Sequence, residues 1–219
     1  VDEATITAWQ DPDDSDGDGI SGRAQITLDP QTGDIRLGRF GWKAGATSLK
    51  HQIAGALNSD MGVMTSVLPT PDCGPLQTSC GNTEGSELAD EYLDDLVKYV
   101  ALLGVRARRN LDDPKALEGE KIFSELGCSA CHRESMTTSE FYPLAELRHQ
   151  TIHPYSDMLL HDMGEGLADN LGEGQASGAE WRTTPLWGIG LAQGVSEGTG
   201  EDYKPGSGFL HDGRARTID

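Results

Sequence analysis

The sequence predicts a mainly α chain with long loops and one minor β hairpin. Three observations carry this. Apolar residues recur at helical spacing in three segments, each with its own start and stop signals. A single stretch has the apolar-turn-apolar look of a hairpin. The 28 glycines and 10 prolines cluster between these segments, as loop residues do.

Residues 1–40 read as irregular: the Asp-rich run DPDDSDGDGISGR, then AQITLDPQTGDIRLGRF, where ITL and IRL flank a turn at Gly33 and make the hairpin. Residues 47–58, TSLKHQIAGALN, read as a helix capped by Thr47 or Ser48, with Leu49, Ile53, Ala56 and Leu57 in one stripe. Residues 62–84 read as loop. SELADEYLDDLVKYVALLG, 86–104, is the clearest helix. Ser86 caps it, and acids in its first half suit the positive end of the helix dipole. Leu88, Tyr92, Leu96, Tyr99, Val100 and Leu103 face one side, and Gly104 ends it. A charged linker, VRARRNLDDP, follows. Asp113 caps the next helix, Pro114 takes its first position, and Gly127 closes it directly before Cys-Ser-Ala-Cys-His. Beyond His132 the chain reads as loop with short helical pieces. The linker divides the chain into two domains, 1–112 and 113–219.

The chain has 219 residues and a formal charge of −19. That charge argues against nucleic acid or an anionic membrane surface as partner. It favours solubility, or a cation or basic protein as partner. No apolar run approaches the roughly 20 residues that span a bilayer. Apolar residues make up 36% and aromatics 6%, lean for a compact core, so a large cofactor would add useful apolar surface. The chain starts at Val1 with no signal peptide, and the N-terminus is expected to be a processed end.

CxxCH at Cys128, Cys131 and His132 is a physical specification. Two thiols on one tight turn can add to the two vinyl groups of a porphyrin, and the next imidazole then meets the iron. A thioredoxin-like pair would need a preceding buried strand, and zinc would need a second Cys or His pair at suitable spacing. Neither is evident, so haem c is the expected cofactor. For the iron's other face the following loops offer Met136, Met158, Met163, His149, His153 and His161, with Met163 in LLHDMG the best candidate. The remaining cysteines, Cys73 and Cys80 in PDCGPLQTSC, flank a Gly-Pro turn and are expected to form a disulfide. Haem attachment of this kind and a disulfide both indicate a periplasmic or secreted protein.

Asp14-x-Asp16-x-Asp18-Gly19 has the spacing of the first half of an EF-hand calcium loop. The twelfth position is Gln25 rather than Glu, and no clear helix precedes it. Calcium is an expected second ion, with Asp11 and Asp13 as extra ligands; a solvated acidic turn is the alternative.

Taken together, DPDDSDGDGISGR, GRFGWKAGATSLKHQIAGALNSDMG, PYSDMLLHDMG, EWRTTPLWGIG and LHDGRARTID resemble the bacterial di-haem oxidoreductases, peroxidase-like proteins related to the di-haem cytochrome c peroxidases and also labelled, less aptly, thiol oxidoreductases. The resemblance covers nearly the whole chain. It implies two cytochrome c-like helical domains, each with a haem. The N-terminal haem would meet peroxide and the C-terminal haem would pass electrons to it. The single CxxCH then corresponds to the electron-transfer haem. The other is expected before Val1, and a sixth iron ligand is expected at Met163 or past Asp219.

The resemblance also implies site residues. Gln52, followed by Asp60-Met61, sits like the Gln and the Glu-Met pair over the peroxidatic haem, with a shorter gap and Asp for Glu. A carboxylate there can move a proton between the two peroxide oxygens. Trp42 resembles the aromatic of that pocket. His211 falls in the loop between the domains, and Arg182 and Arg214 suit haem propionates. Three functions remain open. One is a periplasmic peroxidase-like enzyme relaying electrons through the His132 haem, with a small redox protein as donor and a peroxide-type substrate. Another is a mono-haem cytochrome c that only transfers electrons. The third is a calcium-binding extracellular domain without haem.

Overall fold

The structure is a computed structural model that describes residues 1–74, 76–77, 79, 85–196 and 208–215. Its elements in chain order begin with helix α1 (Glu3–Thr7), strands β1 (Gly22–Arg23), β2 (Ile26–Leu28) and β3 (Ile35–Leu37), and helices α2 (Leu49–Met61), α3 (Asp90–Ala101) and α4 (Pro114–Glu125). A 3-10 turn, Cys128–Ala130, comes next. Strands β4 (Met136–Thr137), β5 (Thr151–Ile152), β6 (Leu160–Asp162) and β7 (Glu180–Arg182) precede helix α5 (Ile189–Ser196). The chain divides into two compact units: Val1–Gly104 with Asp157–Thr183, and Val105–Ser156 with Thr184–Asp219.

The expected mainly α class of cytochrome c-like helical domains does not hold. Helix accounts for 28% of the structure and strand for 13%. Seven strands form three small antiparallel sheets among the described residues. The expected hairpin is one of them, with Ile26 opposite Leu37 and Leu28 opposite Ile35. Gly33 turns it at φ 77, its amide donating to Asp29 O at 2.8 Å. The other sheets pair runs of two or three residues that lie far apart in sequence. Runs that short show no period-two alternation, so the sequence reads them as loop.

The first unit is built around such a sheet, in the order β1-β6-β7. Gly22 pairs with His161, and a Cβ at Gly22 would meet the His161 ring at 2.8 Å, so glycine is required there. Arg23 and Glu180 close the sheet with a forked ion pair at 2.6 and 2.7 Å. Ile6, Ala24, Leu37 and Leu159 form one buried cluster, and Ala44, Leu160 and Ala176 a second. The third joins α2 to α3 through Ala54, Val67 and Leu93. Lys43 is buried, with its ammonium donating to Asp169 Oδ1, Leu171 O and Ser177 O at 2.7–2.9 Å and lying 4.2 Å from the Trp181 ring centre. Its charge is thereby fully partnered, as burial demands.

Local signals explain the helix ends. Ser48 caps α2 by accepting from His51 N, and Gly62 ends it in the left-handed conformation. Helix α3 begins at Asp90 instead of Ser86 for a tertiary reason. The amides of Glu87 and Leu88 donate to Met64 O, and the Ser86 hydroxyl donates to Leu88 O. In the second unit, Asp113 accepts from Lys115 N and Pro114 takes the first position of α4, as expected.

Candidate functional site

Two residues past the end of α4, Gly127 has a φ of 77 that lets the chain turn sharply into the cysteine motif. Cys128 and Cys131 are half-buried thiols, neither of them in a disulfide. His132 N donates to Cys128 O at 2.9 Å, which closes the turn and puts the imidazole directly after both sulfurs. His132 Nδ1 lies 2.8 Å from Tyr155 O. A carbonyl only accepts, so Nδ1 carries the proton and Nε2 keeps its lone pair.

Tyr155 is at φ 52, uncommon for a bulky residue. It is pinned from both sides, by Ser156 N to Arg133 O at 3.0 Å and Leu186 N to Pro154 O at 2.8 Å. Phe123 meets both the His132 and Tyr155 rings edge-on, at 6.2 and 5.8 Å. Arg108 lies over the Tyr155 ring at 5.8 Å and pairs with Glu120 and Glu134. Burial pushes the Tyr155 phenol above its ordinary range, against the pull of Arg108.

In the first unit, Gln52 lies on the first turns of α2, where its Oε1 is 3.6 Å from where a Cβ on Gly41 would stand. Trp42, the next residue after Gly41, is half exposed. Arg182 holds this loop: its amide donates to Trp42 O at 2.8 Å and its Nε to Gly41 O at 2.9 Å. Burial lowers the affinity of the Arg182 guanidinium for its proton. Gln52 and Trp42 therefore belong to one neighbourhood. Asp60 does not join them. It is exposed in the last turn of α2, about two turns or roughly 12 Å along the axis.

A comparison with family models matches residues 1–219 to the family described as "Di-haem oxidoreductase, putative peroxidase". The chain belongs to the di-haem oxidoreductase family. No curated protein and no solved structure matches it.

The residues of this di-haem oxidoreductase suit the cofactor that its family name implies. The donor set is right: two thiols outside any disulfide and one imidazole with its Nε2 lone pair available. Apolar surface is available too. Helix α4 buries none of its side chains, and Leu117, Ile122 and Leu126 are exposed on it. No helix among the described residues is long and apolar enough to cross a membrane.

The other expected residues are more scattered. Met163 is exposed and belongs to the first unit, its amide bonded to Ala179 O, whereas His132 belongs to the second. His211 and Arg214 lie in the second unit, with Arg214 Nε donating to Asp212. Asp14, Asp16 and Asp18 each place a carboxylate oxygen within 4.8 Å of the others. Their loop is organised by its own amides: Gly19 N donates to Asp14 and Ile20 N to Asp18, while Asp11 accepts from Ser15 and is held below the usual carboxylate range. The expected Cys73–Cys80 disulfide involves Cys80, which lies outside the described residues.

Sequence reasoning missed Tyr155 and Arg108. A backbone carbonyl leaves no mark in the sequence, and Arg108 looks like any other charge of the linker. It also missed Asp29 and His51, which meet through Thr47.

Proposed function

We propose that this chain forms part of a periplasmic, peroxidase-like c-type haem oxidoreductase, in which haem held by Cys128, Cys131 and His132 relays electrons to a second haem outside the chain. The observation that carries the reading is the hydrogen bond from His132 Nδ1 to Tyr155 O, directly after two thiols that form no disulfide. It fixes the tautomer that an iron-binding histidine needs.

When bound, the haem supplies a one-electron iron couple. The chain's own residues attach and orient it. Cys128 and Cys131 would hold it through thioether links to its two vinyl groups. His132 offers Nε2 while Tyr155 O and the Phe123 edge restrain its ring. His211 and Arg214, which belong to the same unit as His132, are the proposed neighbours of the cofactor's carboxylates. Gln52 and Trp42, which share one neighbourhood, orient the peroxide-type substrate. A charge of −19 suits a small basic redox protein as electron donor. A disulfide between Cys73 and Cys80 belongs to the same oxidising compartment. Calcium at Asp14, Asp16 and Asp18 would stiffen the acidic loop; absence of binding heat on calcium titration removes that part.

The test is expression together with the c-type haem maturation machinery. A pyridine haemochrome spectrum should show one covalent haem per chain. Cys128→Ser with Cys131→Ser should abolish it, and His132→Ala should keep the attachment but change the iron's spectrum. A colourless wild-type chain overturns the reading.

A further inference from the structure

Helix α2 carries a second histidine, and its surroundings define what it can do. Asp29 is buried at the turn after β2, and its Oδ2 accepts from the Thr47 hydroxyl at 2.7 Å. Burial works against this carboxylate, but the bonds from Thr47, Gln31 N and Thr32 N hold it below its ordinary range. Thr47 in turn faces His51. Its amide donates to His51 Nδ1 at 3.2 Å, and its hydroxyl oxygen lies 3.3 Å from the same nitrogen. An amide can only donate, so Nδ1 is the acceptor and the proton sits on Nε2. Nε2 makes no hydrogen bond among the described residues and is not buried.

The surface beside this N–H is open. Side chains on a helix lean toward its N-terminus, so the residue that would cover His51 and Gln52 is the one a turn later. That residue is Gly55, and nothing lies within 4 Å of where its Cβ would be. Gly55 adjoins both His51, four residues before it, and Gln52, three before it, and Gln52 reaches across to Gly41 beside Trp42.

We propose that His51 is a neutral hydrogen-bond donor that holds an oxygen of the peroxide-type substrate at the opening left by Gly55, with Thr47 and Asp29 as its positioning residues. This rests on the reading that Gln52 and Trp42 meet such a substrate. No proton or electron is transferred at His51: Nε2–H donates and Nδ1 stays occupied by Thr47. The ring is suited to that role. Burial holds its pKa below the ordinary histidine value, so it stays neutral near pH 7, and Asp29, the charged group facing it, opposes this only in part. The adjacent Lys50 is committed to Asp94 on α3, at 2.7 Å.

Two measurements test it. Imidazole nitrogen NMR on the whole chain should show His51 as the Nε2–H tautomer, titrating below ordinary histidine, and Asp29→Asn should lower it further by removing the opposing charge. An Nδ1–H tautomer overturns the proposal. The second measurement is hydrogen peroxide turnover by the intact, haem-loaded protein. His51→Leu should lower kcat/KM about 10- to 100-fold, mainly through KM. The Gln amide nitrogen reaches where Nε2 stood and the Asn nitrogen reaches only Nδ1, so His51→Gln should rescue and His51→Asn should not. Gly55→Leu, which favours the helix, should block turnover with haem content unchanged. If haem attaches and all four variants turn over alike, this proposal fails while the His132 reading stands. If no haem attaches, the His132 reading fails and the NMR result still decides the tautomer.

Discussion

The two units are built on different terms. Val1–Gly104 with Asp157–Thr183 closes three clusters of buried apolar side chains, and α2 and α3 press Ala54 and Leu93 to zero exposure between them. Val105–Ser156 with Thr184–Asp219 closes no such cluster among the described residues. Its helix α4 is well capped yet leaves Leu117 51% exposed. Hydrogen bonds and ring edges gather instead at His132: Tyr155 O, Phe123 and the Ser156–Arg133 link. A short helix with no buried face gains little from propensity alone. One unit supplies its own core. The other leaves the apolar side chains of α4 exposed and gathers its ring and hydrogen-bond contacts around one turn.

The widest gap between the units should appear on truncating a leucine in each. Leu93→Ala, in the first unit, should cost about 3 kcal/mol, the usual loss for a fully buried leucine. Leu117→Ala, in α4, should cost under about 0.5 kcal/mol in the haem-free chain. Denaturant unfolding followed by hydrogen exchange in each unit measures both. Equal losses would erase the distinction.

A smaller effect comes from pH and should be confined to the first unit. The Arg23 hydrogen bond, helped by Ser177, holds Glu180 down to about 2 from its ordinary 4.5. A carboxylate depressed on folding contributes fully above its unfolded value, and the contribution fades as pH falls from 4.5 toward 2. The pair is partly exposed, so solvent screening leaves about 1–2 kcal/mol. Glu180→Gln should remove that acid-dependent loss, and an unchanged stability–pH curve between those limits would show the pair to be idle.

The smallest effect tests whether the units differ in packing alone and not in local helix chemistry. Ser48 and Asp113 each cap a helix by a side-chain bond to backbone. Ser48→Ala and Asp113→Ala should each cost about 1 kcal/mol by thermal melts. A near-zero cost for Asp113 alone would mean that α4 frays in the haem-free chain.

Particular residues show where the sequence was readable. Asp113, Pro114 and Gly127 bounded α4 because caps are local: each acts on backbone within a turn of itself. The turn at Gly33 was legible for the same reason. Ser86 misled because its capping role was displaced by a bond to Leu88 O and by Met64 from another part of the chain. At the candidate site Cys128, Cys131 and His132 were legible, their chemistry being written in consecutive positions. Asp60 was read together with Gln52 by resemblance alone; it stands about two turns further along α2, at the exposed end of the helix.

The sequence by itself determined the three main helices, the hairpin, the cysteine-histidine turn and the family. All of these rest on side chains acting over a few residues, or on long contiguous motifs. Only the tertiary structure decided the rest. It returned 157–183 to the first unit through β6 and β7, selected the tautomers of His132 and His51, and overturned the mainly α class. These outcomes depend on backbone amides and carbonyls, which every residue carries, so no choice of side chain announces which distant pair will meet.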